Sequence, residues 1–166
     1  MNIISFVKTA EERNLSFENH PAKELSEENK IKYLNGLALL MNVDGEISTD
    51  EKEYIGTLIR TFQLPAERME ELVTFAENPN DEAVQDLVDS IKSKAIKNIF
   101  LVDCLILAYK DSVIHEKERE LIDKFFNLFE IKDRIKDHIY YVHNLIKEQD
   151  EKWQFDSLQA VSNLMN

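Results

Sequence analysis

The sequence predicts an all-α fold: a single-domain helical bundle of about seven to nine helices over residues 1–166, with an internal two-fold pseudo-repeat. Three observations lead to this prediction. Only three Gly and three Pro occur in 166 residues, which is typical of a chain built from helices. Apolar residues recur at spacings of three and four along most of the chain. Hydrophobic residues make up 43% of the sequence, enough for one sizeable core.

The first two helices are predicted from their start signals and apolar stripes. A helix is expected over about residues 2–14, followed by a polar connection that holds His20 and Pro21. Ser26 is the expected N-cap of a second helix, because a serine hydroxyl can accept a backbone N–H of the first turn. Its apolar stripe continues to about Val43.

The later helices follow from the same signals. Ser48 with Glu51 three residues later forms a capping-box pattern that opens a third helix. Pro65 suits the first turn of a fourth helix, and a fifth follows Asn80. The sixth is apolar on most sides, so it is expected at the centre of the bundle. The sixth to ninth helices are predicted at about 95–110, 116–129, 133–148 and 153–165, the last as an amphipathic segment docked across the bundle.

Charge and cysteine content exclude several classes of function. The chain carries 32 acidic and 20 basic side chains, a net charge of −12, which repels the phosphates of nucleic acids and anionic lipids. We therefore expect no nucleic-acid partner. We also expect no direct membrane insertion, because the apolar run at 99–109 carries Asp103 and is too short to cross a bilayer. Cys104 is the single cysteine, so it is expected to be a small buried side chain. The sequence shows no signal peptide, which favours a cytoplasmic protein.

An internal duplication appears when the sequence is shifted by 67 residues. The two pseudo-repeats cover about residues 30–72 and 97–139. Most identical positions are apolar and are explained by packing of a duplicated helix pair. The identical pairs are Leu40/Leu107, Asp44/Asp111, Ile47/Ile114, Glu51/Glu118, Glu53/Glu120, Ile55/Ile122 and Phe62/Phe129.

Four of the duplicated carboxylates are predicted to face inward. Asp44 and Asp111 each continue an apolar stripe at the end of a helix, and Glu51 and Glu118 each begin one. An anion at a helix carboxyl end is disfavoured by the helix dipole, so some compensation is expected. If the two copies pack about a pseudo-twofold axis, the four acids form an all-oxygen cluster. Ca²⁺, Mg²⁺ and Mn²⁺ prefer such ligands, so these four residues are the candidate metal ligands.

Structural explanations for the same acids stay open. Glu51 is also the reciprocal member of the Ser48 capping box, and Asp44 before Gly45 is ordinary turn chemistry. These alternatives describe a protein-interaction module without metal. A metal-dependent hydrolase at the same acids is a third hypothesis, which needs an open coordination position and a bound water.

Two further observations concern chemistry elsewhere in the chain. The sequence holds no glycine-rich phosphate loop, serine elbow or thiol with a matching base, which argues against an enzyme. Asp103 is an isolated acid within the most apolar helix and aligns with Gly36 in the other copy. A buried acid needs hydrogen-bond donors, so we expect Asp103 to bond a neighbouring Tyr or Lys.

The motifs "VDGEISTDE" and "KDSVIHEKE", each preceded by an apolar helix and followed by a helix containing Phe, resemble the TerB-like family of tellurite-resistance proteins. The resemblance covers about residues 30–145. It implies a compact helical fold, an acidic site proposed to take divalent cations, and roles in chemical stress and membrane-associated complexes. A protein partner is therefore expected. Carried onto this chain, the motif positions are Asp44, Gly45, Ile47, Glu51, Asp111, Ile114 and Glu118, with Ser112 in place of the second glycine.

Overall fold

A computed structural model of the chain describes residues 3–14, 16–17, 20–43, 47–110 and 114–147. Within these ranges the chain forms α-helices and one short 3-10 helix, Pro21–Glu24, and it forms no strand. The all-helical prediction is confirmed. The amphipathic segment predicted at 153–165 lies outside the described residues. The helices are α1 Ile3–Glu12, α2 Glu27–Asn42, α3 Thr49–Thr61, α4 Ala66–Glu77, α5 Glu82–Ile91, α6 Ile96–Ala108, α7 Glu116–Leu128 and α8 Asp133–Lys147.

Helix α2 begins where its capping signal predicts. The Ser26 hydroxyl accepts the N–H of Asn29 at 3.2 Å, and Glu27 and Glu28 occupy the first turn. Both features stabilise a helix amino end, the first by satisfying a backbone donor and the second through the helix dipole. Pro65 lies one residue before α4 rather than within its first turn, a position where its missing N–H costs nothing.

Helix α6 forms the centre of the bundle, as its sequence predicts. Every residue of α6 except Lys97 is buried, and the helix packs against α2, α7, α8 and the 3-10 helix. Aromatic rings surround it in edge-to-face contact, with Phe100 5.1 Å from Tyr33 and 5.0 Å from Phe125 between ring centroids. Cys104 is buried here, and burial raises the pKa of its thiol well above the ordinary value. That thiol is a packing group.

Helix α1 packs closely on α3, and a glycine makes the approach possible. A Cβ at Gly56 would lie 2.3 Å from the backbone oxygen of Phe6, so any larger residue would push the two helices apart. Arg60 of α3 adds a polar contact, because its Nη1 donates to the carbonyl oxygen of Ala10 at 2.9 Å. The N–H of Phe17 donates to Thr61 Oγ1 at 2.9 Å.

The two halves share local geometry in addition to sequence. Both bounds of α7 lie 67 residues after those of α3. Gln63 and Glu130, related by the same shift, both take left-handed backbone conformations, with φ of 51° and 54°. The second helix of each copy thus starts and stops at equivalent positions, although most of the residues at those positions differ in type. A two-fold axis relating the copies in space stays a prediction.

Two histidines are buried despite their polar side chains. His20, in the connection that the sequence describes as polar, is 1% exposed. His143 is 2% exposed, and its ring centroid lies 4.7 Å from that of Tyr109. Partners within the bundle offset the cost of burying both side chains.

Candidate functional site

The first of the predicted site residues, Glu51, lies at the start of α3. Its Oε2 accepts the N–H of Ser48 at 2.7 Å, while the Ser48 hydroxyl accepts the N–H of Glu51 at 3.2 Å. This reciprocal pair is the capping box that the sequence predicts. The Glu51 residue is only 2% exposed, so its carboxylate faces the interior and not the solvent.

Glu118 occupies the equivalent position at the start of α7. Its Oε2 accepts the N–H of His115 at 3.0 Å, and the residue is also 2% exposed. Both glutamates therefore face inward, as the sequence predicts. A buried carboxylate is costly, and the positive end of the helix dipole offsets part of that cost at each site.

The other two predicted ligands, Asp44 and Asp111, lie outside the described residues. The convergence of the four carboxylates thus stays a prediction. Among the residues that are described, no three His, Cys, Asp or Glu side chains lie together in an arrangement that could hold a metal ion. Glu51 and Glu118 alone do not make such a site, and any site would need the two aspartates.

A second polar centre forms around Asp103, the residue that the sequence shows as an isolated acid within the most apolar helix. Asp103 is 0% exposed in the middle of α6. The Tyr54 hydroxyl donates to its Oδ1 at 2.5 Å, and the Tyr33 hydroxyl donates to its Oδ2. The expectation that Asp103 bonds a neighbouring tyrosine is confirmed. His20 also contacts the carboxylate, with Nε2 2.9 Å from Oδ2.

The second nitrogen of His20 defines its tautomer. The N–H of Ala22 donates to Nδ1 at 3.1 Å, so Nδ1 is an acceptor and carries no hydrogen. Nε2 therefore carries the hydrogen and donates it to Asp103. Because three donors converge on a single buried carboxyl group, the arrangement suits a carboxylate anion.

The two tyrosines are held in their protonated form. Burial, and then the neighbouring charge of Asp103, raise the pKa of the Tyr33 and Tyr54 hydroxyls well above the ordinary value. Each hydroxyl thus remains a donor to Asp103. The network links α2, α3, α6 and the segment before the 3-10 helix. Its hydrogen bonds are internal, which is the property of a structural polar core rather than of a reacting group.

Lys110 provides a positive charge near the first turns of α3. Lys110 follows the end of α6, and its Nζ is 5.0 Å from the centroid of the Tyr54 ring. Burial lowers the pKa of Lys110, while the nearby charges of Asp50 and Glu53 act in the opposite direction. An ammonium group here provides positive charge beside Asp50 and Glu53.

Sequence reasoning missed His20 as a member of the Asp103 centre. His20 lies 83 residues from Asp103 in the chain, in a connection without helical periodicity. The signal that could have found it is the need of a buried acid for several donors, since two tyrosines alone leave room for a third.

The fold and the site define a class of protein: an all-helical domain in which two equivalent helices each begin with a buried glutamate that caps its own helix. The family model of the tellurite resistance protein TerB matches residues 30–139, which is more than half of the chain. The chain therefore belongs to the TerB family, as the two motifs suggest. No curated protein and no solved structure matched it.

The matched region begins within α2, so α1 and His20 precede it. The donor that His20 gives to Asp103 thus comes from a part of the chain outside the family match. As for membranes, none of the described helices combines the length and the apolar character needed to cross a bilayer.

Proposed function

We propose that this TerB domain is a stress-associated binding or adaptor module in which Asp44, Glu51, Asp111 and Glu118 hold one divalent cation, Ca²⁺, Mg²⁺ or Mn²⁺. The expected partner is a protein within a membrane-associated complex. Binding, rather than catalysis, is the proposed role. Hydrolysis at the same acids ranks last, since it requires an open coordination position and an activated water.

The observation that carries this proposal is the equivalent burial of Glu51 and Glu118. Each is 2% exposed, each begins the second helix of its copy, and each follows an aspartate of the family motif by seven residues. A domain that buries the same acid twice gains from a group that compensates both charges. A hard divalent cation with oxygen ligands supplies that compensation.

A structural module without metal is the second candidate, and a specific contact favours it. Oε2 of each glutamate already accepts the N–H of the residue three before it, at 2.7 Å and 3.0 Å. A capping role explains the position of both acids without any ligand.

The test is calorimetric titration of the full chain with Ca²⁺, Mg²⁺ and Mn²⁺, together with thermal melting in each metal. A bound cation raises the stability of the folded state by about 2.7 kcal/mol when the free metal is roughly 100-fold above its Kd. If millimolar metal gives no heat of binding and no shift in melting temperature, the domain binds no cation and the structural module without metal remains.

The variant that separates the two candidates is Asp44→Asn/Asp111→Asn. A cation site loses its metal response in this variant and gains metal-free stability, because repulsion among the acids falls. A capping or turn role predicts little change, since Asn is also a good turn residue. The matched control is Glu70→Gln/Glu120→Gln, which removes two exposed acids and should keep the metal response of the parent chain.

A further inference from the structure

A basic cleft lies on the bundle between two connections, the one from α5 to α6 and the one from α7 to α8. Its volume is about 420 Å³, within the range of small-molecule sites. Among the residues that the structure describes, four basic side chains line it, and Glu130 is the single acidic one. The basic residues are Lys94, Lys97, Lys132 and Arg134.

The single acid does not neutralise this cleft. Glu130 Oε1 lies 3.1 Å from Nζ of Lys92, so its charge is already paired with a fifth cation. In a chain with net charge −12, a concentration of basic groups at one place opposes the overall field. The cleft is therefore an attractive position for a small anion.

Two helix amino ends strengthen the positive potential. Helix α6 begins at Ile96 and α8 at Asp133, and residues of both first turns line the cleft. Among the described residues no side chain caps the start of α6. Backbone carbonyls accept the N–H groups of Lys97 and Asn98 at 3.3 Å and 3.0 Å, so α6 contributes the positive end of its dipole. Lys97 is held beside it, because its Nζ donates to the carbonyl oxygen of Lys92 at 2.9 Å.

A buried amide in the cleft wall points independently to a ligand. Asn98 lines the cleft and is 2% exposed, and within the described part of the chain its Oδ1 has no hydrogen-bond partner. Buried polar atoms are rarely left in this state. A half-turn of the amide exchanges its oxygen and its NH₂ group, so Asn98 can accept from a ligand hydroxyl or donate to an anionic oxygen.

We propose that this cleft binds a small phosphomonoester that also carries a hydroxyl group. The phosphate lies between the amino ends of α6 and α8, where Lys94 and Arg134 contact it. The neighbouring hydroxyl bonds the amide of Asn98. The size of the cleft and the acidic charge of the rest of the surface favour a small metabolite over a nucleic acid, whose backbone the surrounding field repels.

The test is an NMR titration of the full chain, at low ionic strength, with glycerol 3-phosphate and with inorganic phosphate. The expected result is saturable shifts of backbone amides in residues 93–98 and 131–135, with tighter binding of glycerol 3-phosphate than of phosphate. In Lys94→Ala/Arg134→Ala the affinity for both should fall at least tenfold. Both side chains belong to exposed residues, so the variant is expected to fold.

Two controls make the result specific. Lys8→Ala/Lys117→Ala removes two exposed lysines elsewhere and should keep the parent affinity. Asn98→Ala should remove the preference for glycerol 3-phosphate over phosphate while keeping the phosphate shifts. The proposal would be overturned if Lys94→Ala/Arg134→Ala and Lys8→Ala/Lys117→Ala weakened binding of the phosphate compounds equally. Shifts that do not saturate, or binding only to vesicles of phosphatidic acid, would overturn it as well.

Discussion

The imidazole of His20 donates through Nε2 to Oδ2 of Asp103 across 2.9 Å, joining the connection after α1 to the middle of the central helix. Both residues are at most 1% exposed. The contact matters because Asp103 is an acid with apolar neighbours in the middle of α6, and its burial is tolerated only with donors around it. The connection after α1 therefore supplies one of the hydrogen bonds that the buried Asp103 carboxylate needs.

Removal of one donor to Asp103 should destabilise the fold measurably. Tyr33→Phe deletes a hydroxyl bound to a charged group, and we expect a loss of about 1.5–3 kcal/mol in the free energy of unfolding. Urea denaturation measures it. Tyr141→Phe, at a residue 57% exposed, is the matched control and should change stability by less than about 0.5 kcal/mol. Equal stability of the two variants would show that the Asp103 network contributes little.

Alkaline pH should unfold the domain through the same network. The pKa values of Tyr33 and Tyr54 are raised above the ordinary value of 10.0 by burial and by Asp103. Between the unfolded and folded pKa values the native state holds more protons, so stability falls as pH rises. The stabilising contribution is complete below about pH 10 and is lost above it.

The measurement is the urea midpoint between pH 8 and pH 11. The buried Cys104 thiol adds to the fall in stability, because its pKa is raised above 9.0. Tyr33→Phe should show a shallower alkaline decline than the parent chain, since one titrating group is gone. A decline of the same steepness would assign the pH dependence to other groups.

A single methyl group at Gly56 should disturb the packing of α1 on α3. A Cβ there would meet the oxygen and carbon of the Phe6 carbonyl at 2.3 Å and 2.6 Å, and backbone cannot rotate away as a side chain can. We expect Gly56→Ala to cost about 1–3 kcal/mol, even though alanine is the better helix former. Thermal unfolding measures the loss.

Glu70→Ala is a suitable comparison for Gly56→Ala, because it places the same residue at an exposed position in α4. It should be neutral or slightly stabilising. If Gly56→Ala were as stable as Glu70→Ala, the close approach of α1 and α3 would not be a constraint on the fold.

Much of the fold could be predicted because its signals are local. The Ser26 cap, the box of Ser48 and Glu51, and the apolar character of α6 each depend on residues within about one or two helical turns. The inward orientation of Glu118 followed in the same way from its spacing to later apolar residues. Predicted bounds such as 95–110 for α6 were longer than the observed Ile96–Ala108, because helix ends depend on competition with the adjoining turns.

The candidate sites could be predicted only in part. Spacing along a helix assigns Glu51 and Glu118 to an inward face, but it gives no distance between helices. The basic cleft brings together Lys94, from the connection between α5 and α6, and Arg134, from the first turn of α8, and neither segment carries a motif. In the sequence these cations are indistinguishable from ordinary surface charge.

The sequence by itself determined the helical class, the order of the helices, their caps and the duplicated acids, because hydrogen bonds and apolar stripes within a helix join residues three or four positions apart. Only the tertiary structure decided that His20 donates to Asp103, that Gly56 contacts the backbone of Phe6, and that two connections share one cleft. Such contacts join segments distant in the chain, and the packing of whole helices fixes which of them meet.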